Sequence, residues 1–231
     1  MTDQNKKTIQ SSQEIIQFLE DFSYLDNEKE KKDIDNLIQH IEKSRHELMQ
    51  KSVSMMKLSH FRILSSNSLK RKEGLKSWDN ANKHIFQHIA NRQEINRESI
   101  NEINQILTDS ETRPRTEEIY TGEWKYLEHK HLEECWKSFQ KQVLSKEHSI
   151  LRSCEIYIWL VTMHPFTNGN GRTSRICADW SLLEQSYLPL CFDSSVSSHV
   201  ALTIGNGKRK KVNSIVKTLR GILRAYEICL N

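Results

Sequence analysis

His164, Gly169, Gly171, Arg172 and Arg175 fall within twelve residues, HPFTNGNGRTSR, at positions 164–175. Each residue type has a use beside a phosphate. Histidine serves as a general base near neutral pH. Glycine permits positive φ and lets a ligand approach the main chain closely. Arginine offers a planar fork for phosphate oxygens. Arg172 and Arg175 stand three apart, so a helix starting near Arg172 would carry both on one side of its first turn. The free N–H groups and positive dipole end of that helix would face the loop and favour an anion. A base on one rim of a phosphate cradle points to transfer of a phosphorus-containing group to a hydroxyl. The same residues also fit a plain helix–loop–helix corner with a structural histidine and surface arginines.

The elements around the loop are helical by pattern. The run IYIWLV at 156–161 is the most apolar of the chain and ends a helix expected over 145–163. It is apolar nearly all round, which marks a helix at the centre of a domain. Pro165 ends it, because the residue before a proline is driven out of helical geometry. A second helix is expected over 172–184, with Ile176, Trp180 and Leu183 on one face. Further stripes predict helices over 13–21, 27–49, 77–107 in two pieces, 124–143 and 208–229. Between them, Thr108 to Gly122 reads as a short extended segment or hairpin, since Pro114 blocks helix and Ile119-Tyr120-Thr121 favours strand.

Bulk composition agrees. The chain has 231 residues with only 7 glycines and 3 prolines, too few turn formers for a sandwich or barrel. The fold class expected is all-α. The net charge of +4 is too small to call for nucleic acid. The local basic runs at 70–72 and 208–211 read as solvated helix ends or loops, or as contacts to an anionic partner. The five cysteines (135, 154, 177, 191, 229) form no Cys-x-x-Cys pair and suit a reducing compartment. No apolar stretch approaches the length of a membrane span or forms a Sec-type leader, so the expected location is cytoplasmic. His84-x-x-x-His88 could place two imidazoles on one helix face, but the sequence offers no neighbouring cysteine or carboxylate to complete a metal site. Gly205-Asn206-Gly207-Lys208 lacks P-loop spacing and reads as a turn.

HPFTNGNGR resembles the Fic-family signature His-x-Phe-x-(Asp/Glu)-Gly-Asn-(Gly/Lys)-Arg at eight of nine positions, counting the two unrestricted ones. The resemblance extends over residues 100–190. It implies a Fic-type helical bundle with a short β-hairpin flap over the active site. It implies a nucleotidyltransferase that moves AMP from ATP, with Mg²⁺ or Mn²⁺, to a hydroxyl side chain of a target protein (AMPylation). His164 would be the general base, with Asn170 and Arg172 beside it in the catalytic set. Phe166 would anchor the loop. Thr167, Gly169, Asn170, Gly171, Arg172 and Arg175 would bind the nucleotide phosphates, Arg175 reaching the terminal one. Ile119, Tyr120, Thr121 and Gly122 would clamp the target backbone by strand addition. Residues 76–231 would form the catalytic domain and residues 1–75 a helical extension that chooses the target or regulates.

One position departs from the signature. The family's acidic, Mg²⁺-holding residue is Asn168 here, and an amide oxygen brings no charge to a metal. Three consequences stay open: a slow but active enzyme, a transferase using another nucleotide-type donor, or an inactive nucleotide-binding interaction module. The family's inhibitory pattern (Ser/Thr)-x-x-x-Glu-(Gly/Asn) is missing; Glu73-Gly74 has Leu69 where Ser or Thr should stand. That points to an unrestrained protein, or one held by a separate inhibitory partner. A bacterial effector delivered into a host cell, or a toxin, fits such a chain.

Overall fold

The computed structural model describes residues 11–51, 58, 62, 72–110, 114–121, 124–192 and 211–231. Eight α-helices are described: α1 (Ser12–Glu20), α2 (Glu28–Met49), α3 (Lys72–Ala90), α4 (Arg97–Thr108), α5 (Leu132–Phe139), α6 (Ile150–Met163), α7 (Asn170–Leu183) and α8 (Lys211–Leu230). Two short strands, β1 (Tyr120–Thr121) and β2 (Trp124–Lys125), pair antiparallel with Tyr120 opposite Lys125. The fold is therefore all-α with one small hairpin between α4 and α5. No helix among the described residues is long and apolar enough to cross a membrane.

Side-chain caps set the helix starts. Ser11 and Glu14 close a capping box on α1, and Asn96 and Ser99 close one on α4. The helix expected over 145–163 begins only at Ile150, because the Ser149 side chain accepts from Arg152 N–H and claims the N-cap. The helix expected over 124–143 is also shorter. Its first residues are β2 and a 3₁₀ turn at His129–His131, and it closes in a π-helical turn at Gln140–Leu144. Tyr126 and Leu127 are buried here outside any helix, which mimics a helical stripe in the sequence.

α6 runs through the middle. Ile156, Ile158 and Trp159 are each fully buried, and burying such a side chain stabilises by about 1.5–3 kcal/mol. One side of α6 meets α4, α5 and α7 in a cluster with Ile103, Phe139 and Trp180. The other side meets α8 and α2 in a second cluster with Ile34, Ile41 and Leu219. α1 inserts Ile15 and Leu19 into the first cluster, and α2 lies against α8. All five cysteines are buried and free.

The basic run at 208–211 includes one residue that does not face solvent. Lys211 is buried; its Nζ donates to Leu19 O at 2.6 Å and pairs with Glu155 at 2.8 Å. Tyr24 Oη also donates to Glu155, at 2.6 Å. Burial raises the Glu155 carboxyl above its ordinary range, with Lys211 pulling it back. This charged knot ties the start of α8 to α6 and to the end of α1. Residues 208–210, the turn at 205–208, Lys70 and Arg71 lie outside the described residues.

Candidate functional site

α6 ends at His164, which takes left-handed backbone angles (φ 50°, ψ 58°) as the C-cap and donates its N–H to Leu160 O at 3.1 Å. The next helix, α7, begins at Asn170, two residues earlier than its apolar stripe predicts. Gly169 is its N-cap at φ +78°. A β-carbon there would come within 2.7 Å of Thr108 Cγ2 and 2.8 Å of Asn104 Nδ2, so conformation and space both require glycine. Gly171 differs: it is helical, and a β-carbon there would meet nothing within 4 Å.

Hydrogen bonds brace the loop from within and from α4. Asn170 is buried and spends its side chain on the loop itself. Its Oδ1 accepts from Phe166 N–H at 2.9 Å, and its Nδ2 donates to Phe166 O at 2.6 Å. Phe166 is buried in the first cluster. Asn104, on α4, donates to Asn168 O at 2.9 Å and to Thr173 Oγ1 at 3.0 Å. Asn168 Oδ1 accepts from Gly169 N–H at 2.7 Å. The first in-helix bond of α7 runs from Thr173 N–H to Gly169 O, which leaves the N–H groups of 170–172 to a ligand at the helix end. Thr167 is exposed.

A cavity of about 630 Å³ opens beside this helix end, lined by Ser77, Asn80, Leu107, Asp109, Asn168 and Arg172 among others. Arg172 Nη1 donates to Leu107 O at 2.6 Å, at the carbonyl end of α4. Burial lowers the Arg172 guanidinium below its ordinary range. Among the described residues lining the cavity, Asp109 is the one carboxylate. Asp109 with the Asn168 amide oxygen suits an ion whose main ligands are phosphate and water, since Mg²⁺ is held by one or two protein oxygens beside phosphates. Arg175 is turned elsewhere: its Nε donates to Gly171 O at 3.2 Å, and its guanidinium lies 5.3 Å above the Trp78 ring.

His164 is poised as a neutral imidazole. Its Nδ1 lies 3.3 Å from Val161 O, which can only accept, so Nδ1 carries the proton and Nε2 keeps its lone pair. Burial pushes its pKa down to about 4, partly countered by the Val161 carbonyl. The ring stacks on Tyr126, with centroids 3.7 Å apart and planes at 19°.

Residues 93–182 match a family model described as the Fic/DOC family. That match covers less than half of the 231 residues. The match spans α4, the hairpin, α5, α6 and nearly all of α7. No curated protein sequence matches the chain. Among solved structures, Fic-1 from C. elegans superposes with a TM-score of 0.63 at 17% identity, covering 84% of this chain and 72% of that one. IbpAFic2 covalently tethered to Cdc42 gives a TM-score of 0.62 at 14% identity, over 85% and 70%. A Fic-domain-containing signalling protein from Bacteroides thetaiotaomicron gives 0.53 at 13%, over 84% and 95%. These likenesses establish the Fic fold.

Within the matched segment the structure brings Asn168, Gly169 and Arg172 to one helix end. It directs the side chain of Asn170 inward and places Arg175 on Trp78. The hairpin sits against His164 through a residue that no sequence signal singled out. Arg115 is buried, and its Nε donates to His164 O at 2.7 Å while Nη1 donates to Glu117 O at 2.8 Å. Nη2 donates to Leu127 O, and Arg115 N–H donates to Pro165 O at 3.2 Å. In sequence, Arg115 is one more arginine beside a proline. Tyr126 N–H donates to Ile119 O at 3.0 Å, and Tyr120 is exposed. Thr121 lies in β1, and Gly122 lies outside the described residues.

Proposed function

We propose that the chain is a Fic-type nucleotidyltransferase that moves AMP from ATP to a hydroxyl side chain of a target protein. The observation that carries this reading is His164. It is a neutral imidazole with its Nδ1 proton committed to Val161 O, on the rim of a loop whose other side is a helix end with Arg172. In the reaction, the target hydroxyl oxygen forms a bond to the α-phosphorus. The bond from that phosphorus to the bridging oxygen breaks, and pyrophosphate leaves. His164 Nε2 takes the hydroxyl proton. The N–H groups of 170–172 and Arg172 stabilise the charge that gathers on the phosphate oxygens. Gly171, with open space at its β position, gives the phosphates room. Arg175 would have to leave Trp78 to reach a terminal phosphate.

Mg²⁺ or Mn²⁺ carried by the phosphates would meet Asn168 Oδ1 and the Asp109 carboxylate and supply positive charge there. Ile119, Tyr120, Thr121 and Gly122 are the proposed target clamp, which would pair with a target backbone by strand addition. Residues 1–75 are the proposed target-selecting or regulatory segment. A neighbour in fold, a variant of IbpAFic2, is described in complex with adenylylated Cdc42, which supports a protein as acceptor.

Transfer of label from α-labelled ATP, with Mg²⁺ and then Mn²⁺, in a lysate tests the reading. Label on a protein band is expected from the parent and not from His164→Ala. Silence from the parent and from Asn168→Asp, with nucleotide still bound, would assign a binding module instead. The amide at Asn168 is the feature that favours that second reading.

A further inference from the structure

His84 and His88 stand one turn apart on α3, and Glu102 of α4 reaches them across the helix interface. The sequence holds no neighbouring carboxylate for this pair; the α3–α4 packing supplies one. His84 Nε2 lies 3.3 Å and His88 Nε2 3.9 Å from Glu102 Oε2. One ligand atom from each of the three falls within 4.8 Å of the other two. Ligand atoms on a tetrahedral zinc, with bonds near 2.0–2.1 Å, stand about 3.3 Å apart.

The contact is not a good hydrogen bond. His84 Nε2 is buried and has no hydrogen-bond partner despite its nearness to Glu102, and His88 Nδ1 is likewise buried and unsatisfied. Unpartnered buried nitrogens are costly, and a shared cation would satisfy His84 Nε2 directly. The two rings lie 4.3 Å apart, and His88 packs edge-on against Trp180 at 4.9 Å, which fixes its orientation. The Glu102 side chain is 53% exposed, so a fourth position stays open to water.

We propose that His84, His88 and Glu102 form a site for a borderline divalent cation, zinc foremost, that clamps α3 to α4. The same two helices supply Ser77, Asn80 and Leu107 to the wall of the cavity beside Arg172, so the clamp would stiffen that wall.

Cobalt(II) titration of the metal-stripped full chain tests this. One equivalent should give the visible d–d bands of a four-coordinate ion, and zinc should abolish them. Affinity should fall at least tenfold in His84→Ala and in Glu102→Gln, both partly exposed positions, with circular dichroism unchanged. The bands should persist in Asn168→Ala; their loss there would place the ion in the nucleotide cavity and overturn the proposal. Absent bands, or equal affinity in parent and both ligand variants, would overturn it too. Should either ligand variant unfold, the imidazole nitrogen shifts of the parent decide: zinc must move those of His84 and His88, and unmoved shifts reject the site.

Discussion

Gly169 and Gly171 flank one asparagine, yet the same substitution at each should act with opposite sign. In Gly169→Ala the new methyl would sit 2.7 Å from Thr108 Cγ2 and 2.8 Å from Asn104 Nδ2, on a backbone at φ +78°. The left-handed conformation costs an L-residue about 1–2 kcal/mol. Forcing Thr108 and Asn104 aside adds about 1–3 kcal/mol. Asn104 then strains its bonds to Asn168 O and Thr173 Oγ1, which hold the loop to α4. The expected loss is about 2–5 kcal/mol, with nucleotide binding impaired because the helix end moves. In Gly171→Ala the methyl meets nothing, and the backbone is already helical. Reduced freedom of the unfolded chain should stabilise the protein by about 0.5–1 kcal/mol. Nucleotide affinity should nevertheless fall at least threefold, because that space is where the phosphates approach. Urea unfolding of parent and both variants, with nucleotide titrations, reads both quantities. Gly169→Ala within 0.5 kcal/mol of the parent, or a shared sign at the two positions, would refute this account of the loop.

His164 should leave a signature in the pH dependence of stability. Its folded pKa is depressed from the ordinary 6.5 to about 4 by burial, so the unfolded chain binds the proton first. Stability present above about pH 6.5 is lost as pH falls toward 4, by roughly 3 kcal/mol in all. Urea unfolding at stepped pH should show a shallower decline in His164→Gln, and an identical slope would refute the assignment. Arg115→Met should leave three carbonyls without their donor and cut transfer at least a hundredfold while nucleotide affinity stays within threefold; an equal loss in both would make Arg115 merely structural. Lys211→Met strands a buried Glu155 and should cost about 3–5 kcal/mol in urea unfolding, whereas a joint Lys211→Met, Glu155→Leu variant should recover most of it.

Much of this was legible in one dimension because it depends on local rules. The run at 156–161 had to be a central helix, since its apolar residues leave no polar face. Pro165 had to end it, and the glycines and arginines that follow had to form a turn into a second helix end. The Fic signature added a family to that geometry, and the family match at 93–182 bears it out. The sequence also carried the departure at Asn168. Other features depend on which helices meet. Arg115, Lys211 and Glu102 look like ordinary surface charges in sequence. Only the packing buries Arg115 against His164 O, sinks Lys211 beside Glu155, and brings Glu102 of α4 to the histidines of α3. Asn170 shows the same division. Its type and position were readable, but only the fold decided that its amide closes on Phe166 and leaves its backbone N–H for the ligand. Spacing along a chain fixes what one helix presents. Which charge is desolvated, and by which partner, is settled by contacts between residues far apart in sequence.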